Sequence, residues 1–258
     1  MINTIESRSN DKIKMVQKLS SSSRFRNERQ EFFLEGARLC FDAAVSKVKI
    51  KQVFFTDTAM EKYPEKLEKI ISSADEVYRI SREVASKIAD TQSSQGVFAV
   101  CEMPKNSSNL DPNGKYIFLE NIQDPSNLGA IARTAEALGI NGAVLCSCCD
   151  VYNPKAQRAA MGSLLRLPLI FTDDAVHTLS ECRKSGMMTL ASTPDASAEK
   201  ITDIKLDGGV ITVVGNEGNG VTQETMATCR KVTIPMKGRA ESLNASMAAA
   251  LLMWEMMR

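Results

Sequence analysis

The sequence predicts an α/β protein in two parts: a small mixed α/β piece at the N-terminus, and a C-terminal parallel sheet covered by helices. Three observations carry that expectation. Beyond residue 115, short apolar runs alternate with amphipathic helical patterns, the signature of a parallel sheet buried on both faces. The stretch Met103–Gly114 is rich in Pro, Asn, Ser and Gly and marks a boundary. The length, 258 residues, fits one to two domains that need no disulfide or metal staple. The division is therefore 1–103, a linker at 104–114, and 115–258.

In the N-terminal part, Ile13, Met15, Val16 and Leu19 fall at near-helical spacing, predicting a helix over 11–19 with Lys12, Lys14 and Lys18 among them. Ser20 to Ser23 forms a polar hinge. Strands are expected at 31–34, 52–55 and 96–101, and helices at 38–45 and 63–71. In the C-terminal part the strands fall at 116–119, 143–146, 169–171, 188–191, 210–214 and 232–234. Helices fall at 127–138, 154–161, 174–185, 222–228 and 243–257.

Composition removes several classes. The net charge of +1 excludes a strongly basic nucleic-acid coat, although residues 1–30 hold seven basic and three acidic side chains. Seven cysteines and a single histidine, His177, speak against a His-rich metal site, and no metal is expected. Cys146, Cys148 and Cys149 have the spacing of small buried thiols at a strand end rather than of paired zinc ligands. The chain opens without a charged segment followed by an apolar one and holds no membrane-length apolar run. The expectation is a cytoplasmic protein with free thiols and no membrane contact.

In parallel sheets ligands bind at loops after the carboxyl ends of strands, and three such junctions stand out. In Asn121–Gly139, Leu128, Ile131, Ala135 and Leu138 form an apolar helix face, with Arg133 away from it and Gly129 one turn earlier, leaving room beside the guanidinium. Asn127 lies in the first turn, where amide donors meet phosphate or ribose oxygens; Asp124 or Ser126 is the cap. Gly215-Asn-Glu-Gly-Asn-Gly220 follows a β-rich run and lacks both G-x-G-x-x-G and G-K-[ST], so dinucleotide and P-loop chemistry lose support. Its carboxylate, Glu217, either accepts from a ribose or amine or faces water. In Ile234–Trp254 a strand leads into the last helix, with Ser242 as expected N-cap, Asn244 in the first turn, and Leu243, Met247, Leu251 and Trp254 as a core stripe.

In this order the three junctions resemble the motifs of the SpoU, or TrmH-like, RNA ribose 2′-O-methyltransferases. The resemblance covers residues 115–258 and implies S-adenosylmethionine as methyl donor, a deep trefoil knot and a homodimer. It assigns donor binding to Gly215, Asn216, Glu217, Gly218, Ile234, Met236, Ser242 and Leu243. Catalysis falls to Asn127, Arg133, Glu217, Ser242 and Asn244. The N-terminal part resembles the family's RNA substrate-binding domain through Phe33–Arg38 and Ser94–Val100, which makes Lys12, Lys14, Lys18, Arg24, Arg26 and Arg29 candidates for phosphate contact. Large-subunit ribosomal RNA is expected ahead of transfer RNA. The rivals are a silent RNA-binding or assembly factor and a nucleotide-dependent oxidoreductase.

Overall fold

The computed structural model describes residues 2–46, 48–104 and 109–258; four residues of the expected linker, 105–108, lie outside them. The chain divides into two compact units. The first comprises Met1–Lys105 with Tyr152–Leu165, the second Asn106–Val151 with Arg166–Arg258.

The first unit runs β1 (Ile2–Ile5), α1 (Asp11–Ser21), α2 (Ser23–Arg29), β2 (Glu31–Glu35), α3 (Ala37–Val45), β3 (Ile50–Phe55), α4 (Asp57–Lys62), α5 (Pro64–Ser72), β4 (Ala74–Ile80), α6 (Arg82–Ile88) and β5 (Val97–Glu102). Its sheet has the order β1-β4-β3-β5-β2, with β5 antiparallel to β2 and β3. All six elements expected here are present, with ends moved by one or two residues. β1 and β4 escape the sequence because polar residues interrupt their apolar pattern: Asn3, Thr4, Asp75 and Glu76 are exposed. Stacked rings, Phe33 on Phe98 (5.9 Å) and Phe54 on Tyr78 (5.1 Å), build the core. The helix Pro154–Ala160 packs here rather than with its chain neighbours: Tyr152 lies 4.7 Å from Phe32, and Arg158 pairs with Asp90 at 2.5 Å.

The second unit runs β6 (Lys115–Glu120), α7 (Pro125–Leu138), β7 (Gly142–Cys146), β8 (Leu169–Thr172), α9 (Ala175–Lys184), β9 (Met188–Ser192), β10 (Glu199–Lys200), β11 (Val210–Val214), α10 (Gln223–Thr228), β12 (Arg230–Thr233) and α11 (Ala245–Met257); the helix Pro154–Ala160 is α8 in chain order. The strands form one parallel sheet, β10-β12-β9-β11-β6-β7-β8. β6, β7 and β11 are wholly buried except for Lys115 at one end, as continuous apolar strands in a covered sheet should be. From β6 the chain steps outward to β7 and β8, then returns on the other side of β11 to form β9. The strand order thus reverses around β6 and β11, and loops that leave such a point in different directions open a crevice between them.

Two expectations about this unit are corrected. Leu243, Met247, Leu251 and Trp254 are not core: they are 37–59% exposed. The opposite face of α11 is buried instead, through Ala249, Leu252, Met253 and Met256, and its last turn is held by Lys115 Nζ donating to the Met256 carbonyl. Gly129 does not share an open face with Arg133: it is buried in α7, whereas Arg133 is exposed. Among the described residues no helix is long and apolar enough to cross a membrane.

Candidate active site

The site is built at the carboxyl ends of β6, β9, β11 and β12. β11 runs into Gly215–Gly220, which closes on itself: Asn216 and Gly220 exchange backbone hydrogen bonds of 3.0 and 2.9 Å. The crossing is so tight that a Cβ on Gly215 would sit 2.2 Å from the Gly220 backbone, so only glycine fits. Asn216 Oδ1 accepts from the Gly218 and Asn219 amides (2.9 and 3.1 Å), shaping the turn from inside.

Both ends of this loop are pinned to two consecutive residues. Asn216 Nδ2 donates to the Asn121 carbonyl at 2.9 Å. Glu120, the last residue of β6 and buried, accepts from the Thr222 amide (2.8 Å), the Thr222 hydroxyl (2.9 Å) and the Thr225 hydroxyl (2.5 Å). The sequence reading missed Glu120, Thr222 and Thr225. The one available signal was a carboxylate ending the apolar run Tyr-Ile-Phe-Leu, since a buried charge needs hydrogen-bond partners.

The residue that follows Glu120, Asn121, takes a left-handed backbone (φ 59°) that starts the loop toward α7. Asp124 caps that helix by accepting from Ser126 N at 2.8 Å. The capped first turn projects Asn127, whose Nδ2 donates to Glu217 Oε1 at 2.8 Å and whose Oδ1 accepts from Asn244 Nδ2 at 3.1 Å. Residues remote in sequence thus form one line, Glu217–Asn127–Asn244. Asn244, not Ser242, is the N-cap of α11: its Oδ1 accepts from the Ser246 amide at 2.9 Å. The helix begins later than its sequence suggests, which leaves Ser242 in the loop.

A cavity of about 320 Å³ opens beside this line. Gly215, Asn216, Glu217, Gly218, Ile234, Met236, Ser242 and Leu243 all line it. So do Ser192, Thr193 and Pro194 after β9, which the sequence reading did not name. Its charged lining is Glu217 and Glu241, with no lysine or arginine, so the field inside favours a cationic ligand. That charge sign, with glycine backbone and hydroxyls at the strand ends, fits the sulfonium and ammonium groups of S-adenosylmethionine. Asn127, Asn244 and Arg133 are not in the lining. Arg133 lies six residues beyond Asn127, about 9 Å along the α7 axis; it is exposed and has no ion-pair partner among the described residues.

The cysteine cluster backs the site. Cys148 Sγ donates to the Leu119 carbonyl at 3.2 Å, and Cys149 N donates to the Ile122 carbonyl at 2.8 Å. Burial pushes the two thiols up to about 11 and about 12, which keeps them protonated. All seven cysteines are free. Among the described residues no three His, Cys, Asp or Glu side chains gather as a metal site.

Four of the six basic residues expected to contact RNA are paired with carboxylates. Lys12 pairs with Glu76 (2.9 Å), Lys14 with Asp11 (2.9 Å), Arg24 with Glu28 (2.7 Å) and Arg29 with Glu31 (2.7 Å). Lys18 lies over the Phe25 ring at 5.7 Å. Arg26 is removed from the RNA-contact set. It is 2% exposed, and its Nη1 donates to the Leu19 and Ser20 carbonyls (2.5 and 3.1 Å), closing the end of α1.

A cavity at the reversal point of a parallel sheet, with two carboxylates in its lining and two amides joined in line to one of them, defines an α/β ligand-binding domain, here carried with a second compact unit. The SpoU rRNA Methylase family model matches residues 114–254, and the MRM3-like substrate binding domain model matches residues 10–99. The chain belongs to the SpoU rRNA methylase family and is an RNA methyltransferase. It is similar to an uncharacterized tRNA/rRNA methyltransferase, slr1673, of Synechocystis (30% identical, covering 100% of this chain and 94% of that one). A second relative is the 23S rRNA (guanosine(2553)-2′-O)-methyltransferase RlmP of Bacillus subtilis (30% identical, 98% of each chain). Among solved structures, the AdoMet-bound rRNA methyltransferase from Sinorhizobium meliloti superposes with a TM-score of 0.88, at 25% identity over 99% of this chain and 97% of the other.

Proposed function

We propose that this protein methylates a ribose 2′-hydroxyl of large-subunit ribosomal RNA, with S-adenosylmethionine as donor. The observation that carries the reading is the line Glu217–Asn127–Asn244 beside a carboxylate-lined cavity. The donor, when bound, supplies a methyl group already activated by a positive sulfur. What remains for the chain is alignment of a near in-line attack by a weak nucleophile. Gly215, Asn216, Gly218, Ile234, Met236, Ser242 and Leu243 hold the donor. Asn127 and Asn244 offer amide donors and acceptors to the ribose, with Glu217 fixing Asn127. A guanidinium is a very poor base; Arg133 therefore grips the phosphate beside the target ribose, and the hydroxyl proton leaves to phosphate or water. Residues 115–258 are the catalytic domain in this reading and residues 1–103 receive the RNA. The domain similarity to 23S rRNA methyltransferases favours ribosomal RNA.

The test is transfer of labelled methyl from S-adenosylmethionine to ribosomal and transfer RNA pools that lack the modification, followed by mapping of the 2′-O-methyl site. Label is expected in ribosomal RNA. Replacing Arg133 with alanine should slow transfer about 10²–10³-fold while donor binding is unchanged; an unaltered rate would remove Arg133 from the mechanism. Label in neither pool, with the donor bound, would favour a silent binding factor.

The reading includes a homodimer, a deep trefoil knot in the second unit and a cytoplasmic location. The knot and the location rest on family membership. The homodimer also has a physical support: Met247, Leu251 and Trp254 are 58%, 46% and 59% exposed along one face of α11, an apolar stripe of the kind that subunit contacts cover. Trp254→Glu is expected to convert the dimer to a monomer by analytical ultracentrifugation, with little change in the fold. A wild-type monomer at micromolar concentration would refute the homodimer.

A further inference from the structure

RNA contact in the first unit would be sought on the basic face of α1 and α2, yet those charges are largely matched by carboxylates, and Arg26 is buried. A different surface of the same unit has the opposite character. The loop 89–96, the start of α4 and the helix α6 enclose an open cleft of about 470 Å³. Hydroxyl and amide side chains dominate its walls, among them Thr56, Thr58, Gln92, Ser93 and Ser94, with one cation, Arg82, and no carboxylate.

The cleft is built rather than incidental. The buried carboxylate of Glu35 accepts from the Asp90 amide (2.8 Å) and the Thr91 hydroxyl (2.5 Å), pinning the start of the loop. Gln95 Oε1 accepts from the Ala37 amide at 2.8 Å, and the Gly96 carbonyl accepts from Thr56 N at 3.0 Å, pinning its end. A Cβ on Gly96 would meet Thr56 Oγ1 at 2.4 Å, so the closure needs glycine. Between the pins, Gln92 and Ser93 are exposed and hold no hydrogen bond among the described residues. Arg82 is exposed, donates to Thr58 Oγ1 at 2.8 Å and has no carboxylate partner there. Of the acidic groups around the cleft, Glu35 is occupied by the loop itself, Asp90 by Arg158 and Asp57 by Arg79, while Glu83, next in the chain to Arg82, feels its charge without forming an ion pair among the described residues.

We propose that this cleft, not the basic face of α1 and α2, receives an unpaired segment of the substrate RNA. Gln92, Ser93 and Ser94 meet ribose hydroxyls and base edges, and Arg82 meets one phosphate. Neutral donors and acceptors on a fixed loop suit the 2′-hydroxyl and exposed base edges of unpaired RNA, whereas each paired cation of α1 and α2 must first give up its carboxylate to meet a phosphate. The inference rests on the reading that the substrate is RNA.

Filter binding of the full-length protein to unmodified 23S ribosomal RNA transcript, across a salt series, tests it. The cleft variant is Arg82→Ala with Gln92→Ala and Ser93→Ala; the helix variant is Lys12→Ala, Lys14→Ala and Lys18→Ala. The cleft variant is expected to weaken RNA binding about tenfold or more and to flatten the salt dependence by about 0.7 in log–log slope, one phosphate contact. The helix variant should stay within about twofold. Calorimetric binding of S-adenosylmethionine should be unchanged in both. Gln92→Ala with Ser93→Ala alone removes no internal bond, so its weakened RNA binding would not reflect unfolding. Full RNA affinity in the cleft variants, or a larger loss in the helix variant, overturns the proposal. A wild-type protein that binds no RNA overturns the underlying reading instead.

Discussion

The glycine-rich loop of the second unit and the basic helices of the first use polar residues in opposite ways. In Gly215–Gly220 the polar groups bond to one another and to Asn121, so that the loop keeps one shape around a cavity. On α1 and α2 four of the cations, Lys12, Lys14, Arg24 and Arg29, each bond to a carboxylate, so much of the positive charge is locally matched. The loop's shape was legible because it is written in residue type and spacing. The pairing of the helices' charges was not, because a count of lysines does not tell which already have a carboxylate partner.

The comparison can be broken at its strongest point first. Gly215→Ala places a methyl 2.2 Å from the Gly220 backbone. Backbone cannot move aside as a side chain can, so stability should fall about 1–3 kcal/mol. Donor affinity, measured by calorimetry, should fall at least about tenfold, and full affinity would show the loop to be looser than its geometry. On the helix side, Arg26→Ala should cost about 1–3 kcal/mol in a urea titration, because it strands carbonyls at the end of α1. RNA affinity of the folded fraction should not change; a specific loss there would restore Arg26 as a contact.

The smallest effect concerns the thiols behind the site. Burial raises Cys148 to about 11 and Cys149 to about 12, from 9.0. The unfolded chain therefore loses these protons near pH 9.0 while the folded chain keeps them. Their contribution to stability is complete below that pH and declines as pH rises toward 11–12. A Cys148→Ala, Cys149→Ala protein should show a shallower alkaline loss of stability than the wild type. An identical pH profile would show that the thiols are not the groups responsible.

Much of the second unit followed from its sequence. Each of its expected strands lies at or within two residues of its predicted place, since a buried parallel strand is a continuous apolar run that little else imitates. The eight residues assigned to donor binding all line one cavity. The exposed stripe of α11 was misread because an apolar helix face looks the same whether it meets the core or lies at the surface. Helix α8 was placed correctly in sequence, but its packing in the first unit has no local signal: Tyr152 against Phe32 is a contact between residues 120 apart in number.

The sequence by itself determined the two-part α/β plan, the three loop-to-helix junctions and the residue types at the site, because periodicity, glycine and capping residues act over a few neighbours. Only the tertiary structure decided that Glu120 anchors Thr222 and Thr225, that Asn127 joins Glu217 to Asn244, and that Arg26 is buried while Arg82 is exposed. Those outcomes depend on which strand ends meet across the sheet and on which charge finds a partner, and both are set by long-range packing rather than by local chain preference.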